Sequence, residues 1–174
     1  MDCVLFRHGI AVAREEWKGT DAERPLTEKG TQRVREVAEG LRRLKIRPSV
    51  IYASPARRAV DTAQLLLDLL EGPSCLQLRA ALLPDAPAES LLSVLQDLPA
   101  ESCVICVGHE PQLGMAASLL LSGHSSPSFP MKKAGAALIE LAIPAMPGRG
   151  FLHWWLTPGM LRAIGKKNGY GLPG

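Results

Sequence analysis

Residues 50–70 read VIYASPARRAVDTAQLLLDLL, and this stretch contains a strand, a turn and a helix in succession. Val50–Ala53 is short and apolar, which is typical of a buried strand. Ser54–Pro55 is a common helix start, with Ser as the N-cap and Pro at the first helical position, and Gly72–Pro73 ends the helix. A strand that runs directly into a helix is the unit of parallel α/β folds. Apolar residues mark the inner face of this helix: Ala59, Ala63, Leu66 and Leu70.

The same alternation of short apolar runs and helical patterns continues on both sides of this unit. It predicts an α/β fold, a three-layer sandwich in which helices cover both faces of a central, mostly parallel sheet. The other predicted strands are Val4–Phe6, Leu76–Leu78, Cys103–Val107 and a late antiparallel hairpin of Ala136–Ile143 with Phe151–Leu156. The other predicted helices begin at Thr27, Ser90, Pro111 and Met160, and a glycine-rich end follows the last of them.

Length and composition restrict the class of protein. A chain of 174 residues with 47% hydrophobic and 21% charged residues predicts a single globular domain over residues 1–174. The net charge of +3 is too small to indicate nucleic acid as a partner. No apolar run reaches the ~18 residues of a membrane span, and Asp2 and Arg7 interrupt any amino-terminal secretory signal. We therefore expect a cytoplasmic protein that binds neither nucleic acid nor membrane.

The basic residues are concentrated at one end of the chain. Residues 1–60 carry 13 Lys and Arg against 8 Asp and Glu. This concentration predicts either a site for an anion or helix faces that differ in charge.

Cys103 and Cys106 form a C-x-x-C pair, a spacing that is found in redox and metal sites. Here the pair lies inside a predicted strand, where positions three apart point to opposite faces of the sheet. We therefore expect buried, inert thiols, and we expect neither a metal nor a cofactor.

Polar clusters follow three of the predicted strands. Arg7-His8-Gly9 follows the first strand, Ser54 to Arg58 follows the second, and Gly108 to Pro111 follows the CVICV strand. Ligand sites in open α/β sheets form at the carboxyl ends of strands, so these clusters are expected to share one crevice. Arginine forks and helix N-termini favour a phosphate, and a histidine beside them can act as nucleophile or donor.

The sequence resembles the histidine phosphatase superfamily, whose hallmark is R-H-G after the first strand, and within it the small SixA-type phosphohistidine phosphatases. The resemblance implies a phosphoglycerate-mutase-like fold. It rests on five segments that follow one another at compatible intervals: LFRHG (5–9), RPLTEKG (24–30), SPARRAVDTA (54–63), VGHEP (107–111) and WWLTPGML (154–161).

The resemblance also implies catalytic and substrate-binding roles. His8 corresponds to the nucleophile that becomes phosphohistidine, and His109 to the second histidine, which contacts phosphate. Arg7 and Arg58 correspond to phosphate-binding arginines, and Arg24 to a further arginine near the phosphate. A neutral His8 would attack through one ring nitrogen while the other donates its proton to a backbone carbonyl. Covalent capture divides the reaction into two transfers, the second of them to water.

Some of these residues have a second interpretation. Arg24 could instead support its own loop or pair with a carboxylate such as Glu28. Arg57 lies about 100° around the helix from Arg58 and is interpreted as a solvated surface residue. Two further histidines match no motif and are assigned to surface or sheet positions: His124 and His153.

Phosphomonoester-cleaving members of the superfamily use an acidic residue to protonate the leaving oxygen. In the corresponding region, LLPDAPAESLLS, the nearby candidates are Asp85 and Glu89. Glu89 also suits the start of a predicted helix, so Asp85 is the possible general acid. A phosphoimidazole can be protonated on its other nitrogen and departs more readily than an alkoxide, so a weak or absent acid favours phosphohistidine. The short interval between Arg58 and His109 predicts an open cleft without a lid, which suits a phosphate on a folded protein.

The sequence therefore predicts a monomeric enzyme that hydrolyses phosphohistidine on a protein, such as a histidine-phosphotransfer domain or a phosphotransferase-system carrier. The alternative is a phosphatase of small phosphorylated metabolites, which would need a working acid. A third possibility is a non-catalytic phosphoprotein binder, but such a protein has no need of the nucleophile.

Overall fold

The computed structural model describes residues 1–72 and 75–166. The second helix ends at Leu69, three residues before Gly72 of the predicted Gly72–Pro73 end. Pro73 and the glycine-rich end of the chain lie outside the described residues. All the predicted strands and helices are present. The strands are β1 (Asp2–Arg7), β2 (Val50–Ala53), β3 (Leu76–Leu78), β4 (Cys103–Gly108), β5 (Ala136–Glu140) and β6 (Phe151–Leu156). The helices are α1 (Glu28–Arg43), α2 (Arg57–Leu69), α3 (Glu89–Leu95), α4 (Gln112–Ser122) and α5 (Pro158–Gly165).

The six strands form one sheet in the order β3-β2-β4-β1-β5-β6. The first four strands in this order are parallel, whereas β5 and β6 run antiparallel to their neighbours. This arrangement confirms the mostly parallel sheet with an antiparallel hairpin at one edge. The central strand is β4, which pairs with β1 on one side and with β2 on the other.

Helices cover both faces of the sheet, which confirms the three-layer sandwich. On one face α1, α2 and α5 bury Val37, Leu66 and Leu161. On the other face α3 and α4 bury Leu91 and Leu113. Because α3 contributes three buried leucines to this second core, the interval between Arg58 and His109 holds a packed element of the sandwich.

The central strand separates its two cysteines as the strand period requires. Cys106 is buried in the core beneath α3 and α4, whereas Cys103 packs against the opposite core. All four cysteines are free thiols. Within residues 1–72 and 75–166, His, Cys, Asp and Glu side chains form no cluster of three or more that could hold a metal ion. No helix in that part of the chain has the length and apolar character needed to cross a bilayer.

The start of α1 confirms the predicted N-cap. The Thr27 hydroxyl accepts a hydrogen bond from the Gly30 N–H at 2.9 Å, and the Thr27 N–H donates to the carbonyl of Ile10 at 2.9 Å. A Cβ atom on Gly30 would lie 2.0 Å from that carbonyl oxygen, so only glycine permits this approach. The contact holds the chain that follows Arg7-His8-Gly9 against α1.

The predicted start of α2 is wrong by two residues. The helix begins at Arg57, with Ala56 at the N-cap position and no side-chain cap. Ser54 therefore lies before the helix; its hydroxyl accepts from the Ala56 N–H at 3.3 Å and lies 2.9 Å from a ring nitrogen of His109. The side chain that local sequence preference assigns to the helix start thus also makes a tertiary contact.

Candidate active site

The three polar clusters meet because β4 lies between β1 and β2. In the strand register, Arg7 at the end of β1 is paired with Gly108 of β4, and Ala53 at the end of β2 with Val107. The residues that follow these parallel strands therefore leave the same edge of the sheet side by side. The rings of His8 and His109 accordingly lie 4.9 Å apart, centroid to centroid.

His8 is held in one tautomer. Its Nδ1 lies 2.7 Å from the carbonyl oxygen of Gly9, and since a carbonyl can only accept, Nδ1 carries the proton. The lone pair then resides on Nε2, which has no hydrogen-bond partner among the described residues. Thr62 of α2 fixes the peptide beneath the ring, since its hydroxyl accepts from the Gly9 N–H at 3.0 Å. This geometry agrees with the predicted proton donation to a backbone carbonyl.

His109 is held by Ser54 in the complementary way. The Ser54 hydroxyl accepts from the Ala56 N–H at 3.3 Å and lies 2.9 Å from Nε2 of His109. Nε2 of His109 is the one acceptor that the described residues offer to the hydroxyl proton, so we assign this proton to the contact with Nε2, and Nδ1 of His109 then carries the ring proton.

Both imidazoles are neutral at pH 7. Burial lowers the pKa of His8 to about 3, and His109, Arg58 and Arg7 act in the same direction. Burial likewise lowers the pKa of His109 to about 4, with Arg58 as the next cause.

Arg58 and Arg7 are fixed by backbone carbonyls. Arg58, with a side chain only 5% exposed, donates from Nη1 to the carbonyl of Asp21 at 2.8 Å and pairs through Nη2 with the Asp21 carboxylate at 3.0 Å. Arg7 donates from Nη1 to the carbonyl of Met131 at 2.6 Å. In both side chains the Nε atom is left for another acceptor.

Four buried side-chain polar atoms have no hydrogen-bond partner within the described ranges, and three of them are donors of predicted site residues: Arg7 Nε, Arg58 Nε and His109 Nδ1. Buried donors without partners are rare in folded proteins. Three donors in one crevice that all lack an acceptor point to a ligand rich in acceptors. A tetrahedral oxyanion such as phosphate supplies such acceptors. The fourth atom, Oε1 of Gln112, is itself an acceptor and does not fit an anion.

Arg24 is tied to its own loop. Its Nε donates to the Asp21 carboxylate at 2.8 Å, and its Nη1 donates to the carbonyl of Val12 at 2.7 Å. These contacts match the second interpretation, in which Arg24 supports its loop or pairs with a carboxylate, although the carboxylate is that of Asp21 and not of Glu28. Because Asp21 also binds Arg58, Arg24 joins the same charged group, and its contact with substrate stays a prediction.

The segment before β5 is part of the site, although no pattern in the sequence indicates it. The carbonyl of Met131 binds Arg7, and the Ala134 N–H lies 3.0 and 3.1 Å from the carbonyls of Arg7 and His8. Lys133 lies between these two positions. Burial lowers the pKa of its ammonium group, and the charges of Arg7, Arg24 and Arg58 lower it further. Lys133 thus adds a fourth cation near the three arginines.

Glu110 anchors this segment to α4. Its carboxylate accepts from the N–H of Met131 at 3.0 Å, the same residue whose carbonyl holds Arg7. Burial raises the pKa of the Glu110 carboxyl, and the Met131 N–H opposes this effect. Glu110 follows His109 directly, so its position is visible in the sequence, but its partner is not.

No hydrogen bond or ion pair among the described residues joins the acid candidates to this network. Asp85 is exposed in the turn after a 3-10 segment, Ala80–Leu82, and no described residue forms a hydrogen bond or ion pair with it. Glu89 is exposed and begins α3, as its helix-start interpretation requires. The participation of Asp85 in catalysis therefore stays a prediction, without a contact to support it.

Exposure resolves the interpretation of the remaining residues. Arg57 is 57% exposed and lies 3.8 Å from Asp61, which confirms it as a surface residue. His153 is exposed on β6 and lies 2.8 Å from the Glu140 carboxylate. His124 is exposed in the turn after α4.

A groove of about 340 Å³ lies elsewhere, between α1 and α5. Its wall includes Arg162 and Glu36, which form an ion pair with each other. Groups that satisfy one another do not require a ligand, whereas the unpaired donors around His8 do. We therefore place the functional site at the two histidines.

Comparison with known proteins identifies the family of the chain. A family model of the histidine phosphatase superfamily (branch 1) matches residues 3–82. An uncharacterized protein of Picosynechococcus sp. is 35% identical over 137 residues, which make up 78% of this chain and 82% of that protein. Phosphohistidine phosphatase SixA of Escherichia coli is 26% identical over 160 residues, or 91% of this chain and 94% of SixA.

Comparison with solved structures identifies the same family. The solved structure of the protein histidine phosphatase SixA complexed with tungstate has a TM-score of 0.79 and 27% identity, and the match covers 91% of this chain and 98% of that one. A mycobacterial glucosyl-3-phosphoglycerate phosphatase, with a TM-score of 0.64 and 19% identity, shares the fold alone. The chain therefore belongs to the histidine phosphatase superfamily and is a phosphatase similar to SixA.

Proposed function

We propose that the chain hydrolyses phosphohistidine on a protein through a covalent phosphohistidine intermediate on His8. The observation that carries the proposal is the set of unpaired buried donors, Arg7 Nε, Arg58 Nε and His109 Nδ1, beside a histidine whose Nε2 is free. These groups match what phosphoryl transfer requires, namely a positioned nucleophile and positive charge around the equatorial oxygens. The relationship to SixA, a phosphohistidine phosphatase, supports the same substrate class.

In the first step Nε2 of His8 attacks phosphorus while the bond from phosphorus to the substrate nitrogen breaks. The bonding electron pair goes to the departing imidazole. The phosphorylated His8 keeps its proton on Nδ1, which donates it in a hydrogen bond to the Gly9 carbonyl. Arg7, Arg58 and His109 bind the transferring oxygens. In the second step water attacks phosphorus, Nε2 of His8 recovers its lone pair, and the proton released by water passes to the phosphate product.

The substrate class rests on two features of the site. Asp85, the candidate acid, has no described partner that would direct it to a leaving group, and a phosphoimidazole does not require an alkoxide to be protonated. The residues between Arg58 and His109 form core elements, which leaves the cleft open to a phosphate on a folded partner. Phosphotransfer domains and phosphotransferase-system carriers are proteins of this kind.

We further propose that residues 1–174 act as one domain, as a monomer and in the cytoplasm. Each proposed site residue comes from the same chain, so the reaction needs no second copy. Four free cysteines suit a reducing compartment.

The proposal is tested by the substrate and by the intermediate. A phosphohistidine-bearing carrier protein and a panel of phosphomonoesters are each incubated with the enzyme, and second-order rate constants are compared. We expect faster release of phosphate from phosphohistidine, and faster ester cleavage would instead support the small-metabolite alternative. Binding of the phosphoprotein without any turnover would support the non-catalytic binder.

The nucleophile is tested by rapid quenching of a reaction with labelled substrate. An acid-labile phosphoenzyme should form in the wild type and in His124→Ala, which removes an exposed histidine in the turn after α4. It should be absent in His8→Ala. Turnover that survives in His8→Ala would refute the assignment of His8.

A further inference from the structure

Asp21 carries an unexpected negative charge into the group of arginines. One carboxylate oxygen lies 3.0 Å from Nη2 of Arg58, and the other lies 2.8 Å from Nε of Arg24. The Asp21 carbonyl also accepts from Nη1 of Arg58 at 2.8 Å. A carboxylate on a phosphate-binding arginine opposes the binding of an anion, so its presence calls for a physical reason.

Exposure places Asp21 on the outer side of the site. Its side chain is 50% exposed, whereas that of Arg58 is 5% exposed. His8 is 6% exposed and lies on the inner side. In-line transfer puts the attacking and the leaving atom on opposite sides of phosphorus, so a leaving group departs outward, on the side where Asp21 lies.

The charge state of Asp21 rules out one role. Burial alone would raise the pKa of this carboxyl, but the hydrogen bonds and charges of Arg24 and Arg58 lower it overall. Asp21 is therefore ionised at neutral pH and cannot protonate an alkoxide. Glu110, an acidic side chain near Arg7, is occupied by the Met131 N–H and offers no equivalent.

We propose that Asp21 determines specificity by accepting a hydrogen bond from the ring N–H of the protonated phosphoimidazole whose phosphoryl group is being transferred. This inference rests on the proposed function and names the group that reads the substrate side chain. A carboxylate has about four lone-pair positions, so the two arginine contacts leave acceptors for the substrate.

The step balances without any proton transfer to the enzyme. The substrate imidazole carries phosphorus on one nitrogen and a proton on the other, which Asp21 binds. As the phosphorus–nitrogen bond breaks, its electron pair returns to the ring, and a neutral imidazole departs with its N–H intact. His8 undergoes the reverse change on the inner side, where the Gly9 carbonyl holds its Nδ1 proton. The two imidazoles are thus held by an acceptor at each end of the reaction axis.

This arrangement discriminates by chemistry. A protonated phosphoimidazole presents an N–H to the carboxylate, whereas an alkyl phosphate presents no donor on its leaving oxygen and needs a proton that ionised Asp21 lacks. Specificity that depends on a polar group left unpaired by the wrong substrate is larger than specificity from size alone.

The test compares Asp21→Asn with wild type in two measurements: kcat/KM for a phosphohistidine-bearing carrier, and the inhibition constant of inorganic phosphate. We expect kcat/KM to fall about 10- to 100-fold, the loss of one charge-assisted hydrogen bond. Phosphate should bind as tightly as before or more tightly, because a negative charge has left the arginines. Asp21→Glu should recover part of the activity.

Glu23→Gln is the matched control. The substitution removes one negative charge from the same 3-10 turn. The Glu23 carboxylate accepts a hydrogen bond from Thr20 and has no contact with Arg58 or Arg24. We expect its kcat/KM to stay within about threefold of wild type.

Two outcomes overturn the inference. A parallel loss of kcat/KM and of phosphate binding in Asp21→Asn would make Asp21 a support for Arg58 alone. No loss of kcat/KM in Asp21→Asn would remove the role altogether. Both outcomes are measured relative to a wild type that hydrolyses phosphohistidine. Failure of the proposed function itself would appear separately, as a wild type that is inactive on phosphohistidine. If Asp21→Asn does not fold, Asp21→Glu takes its place in the same two measurements. A lower kcat/KM with unchanged phosphate binding would then support the role of Asp21, and a parallel loss of both, or no loss of kcat/KM, would overturn it.

Discussion

Ser54 should link the stability of this protein to its activity, and Ser54→Ala is the change that tests this link. The residue is fully buried. Its hydroxyl lies 2.9 Å from Nε2 of His109 and accepts from the Ala56 N–H at 3.3 Å. The substitution leaves two buried groups without partners, at about 1–3 kcal/mol for each. Because the second contact is long, we expect a total loss of about 2–3 kcal/mol in the free energy of unfolding.

Ser54→Ala should also lower the catalytic rate, because it changes the tautomer of His109. Without the Ser54 hydroxyl, nothing among the described residues keeps the proton on Nδ1, the atom that faces the proposed phosphate. We expect kcat/KM to fall about 10- to 100-fold, which corresponds to one misdirected donor. Urea unfolding measures the first effect, kinetics with a phosphohistidine carrier the second, and nitrogen-15 shifts of the His109 ring the tautomer itself.

Ser118→Ala is the matched control. Ser118 is 2% exposed, and its hydroxyl donates to the carbonyl of His124 at 2.8 Å, at the other end of α4. It should lose about 1 kcal/mol of stability and keep its activity. Retention of the Nδ1–H tautomer in Ser54→Ala, or a loss of activity in both variants in proportion to their loss of stability, would contradict this link between Ser54 and His109.

Three further changes test other parts of the site. Since the pKa of His8 is lowered to about 3 and an unfolded histidine titrates near 6.5, the unfolded state binds more protons below pH 6.5, and stability falls as pH decreases through this window. His8→Asn should therefore lose less stability between pH 6.5 and pH 4 than wild type, by up to about 1.4 kcal/mol per pH unit in urea unfolding; equal losses would contradict the shift. Gly114→Ala places a Cβ 2.5 Å from the Phe129 carbonyl, so it should lower both stability and activity, by more than about 2 kcal/mol in unfolding, whereas Gly159→Ala meets only one atom, at 3.8 Å, and should be tolerated. Lys133→Met should weaken inhibition by inorganic phosphate about 3- to 10-fold with unchanged unfolding; unchanged inhibition would exclude Lys133 from the anion site.

Much of the fold was predictable, because the chain alternates strand and helix patterns with clear boundaries. Val50–Ala53 and Leu76–Leu78 have the predicted bounds, and Thr27 caps α1 as expected. The helix start was wrong by two residues, since α2 begins at Arg57, and the contact of the Ser54 hydroxyl with His109, 55 residues away in sequence, was missed. Local preference carries no information on such a tertiary contact.

The site was predictable to the extent that its residues follow parallel strands. Arg7, Arg58 and His109 each come from a motif after a strand or at the start of its helix, and parallel neighbours end at one edge of the sheet. Lys133 was missed because it precedes β5, which is antiparallel to β1. Because β5 runs antiparallel to β1, β5 begins at the end of the sheet where β1 finishes. The residues that precede β5 therefore reach the same site as the residues that follow β1.

By itself, the sequence determined the order of the elements, the three-layer sandwich and the residues that surround the proposed phosphate. These follow from periodicity and from chemistry within a few residues of a strand end. Only the tertiary structure decided the partners: the Met131 carbonyl on Arg7, Ser54 on His109, and Asp21 between Arg58 and Arg24. The physical reason is that a hydrogen bond depends on the separation of two atoms in space, and loops, which carry most of these partners, have no period from which that separation could be read.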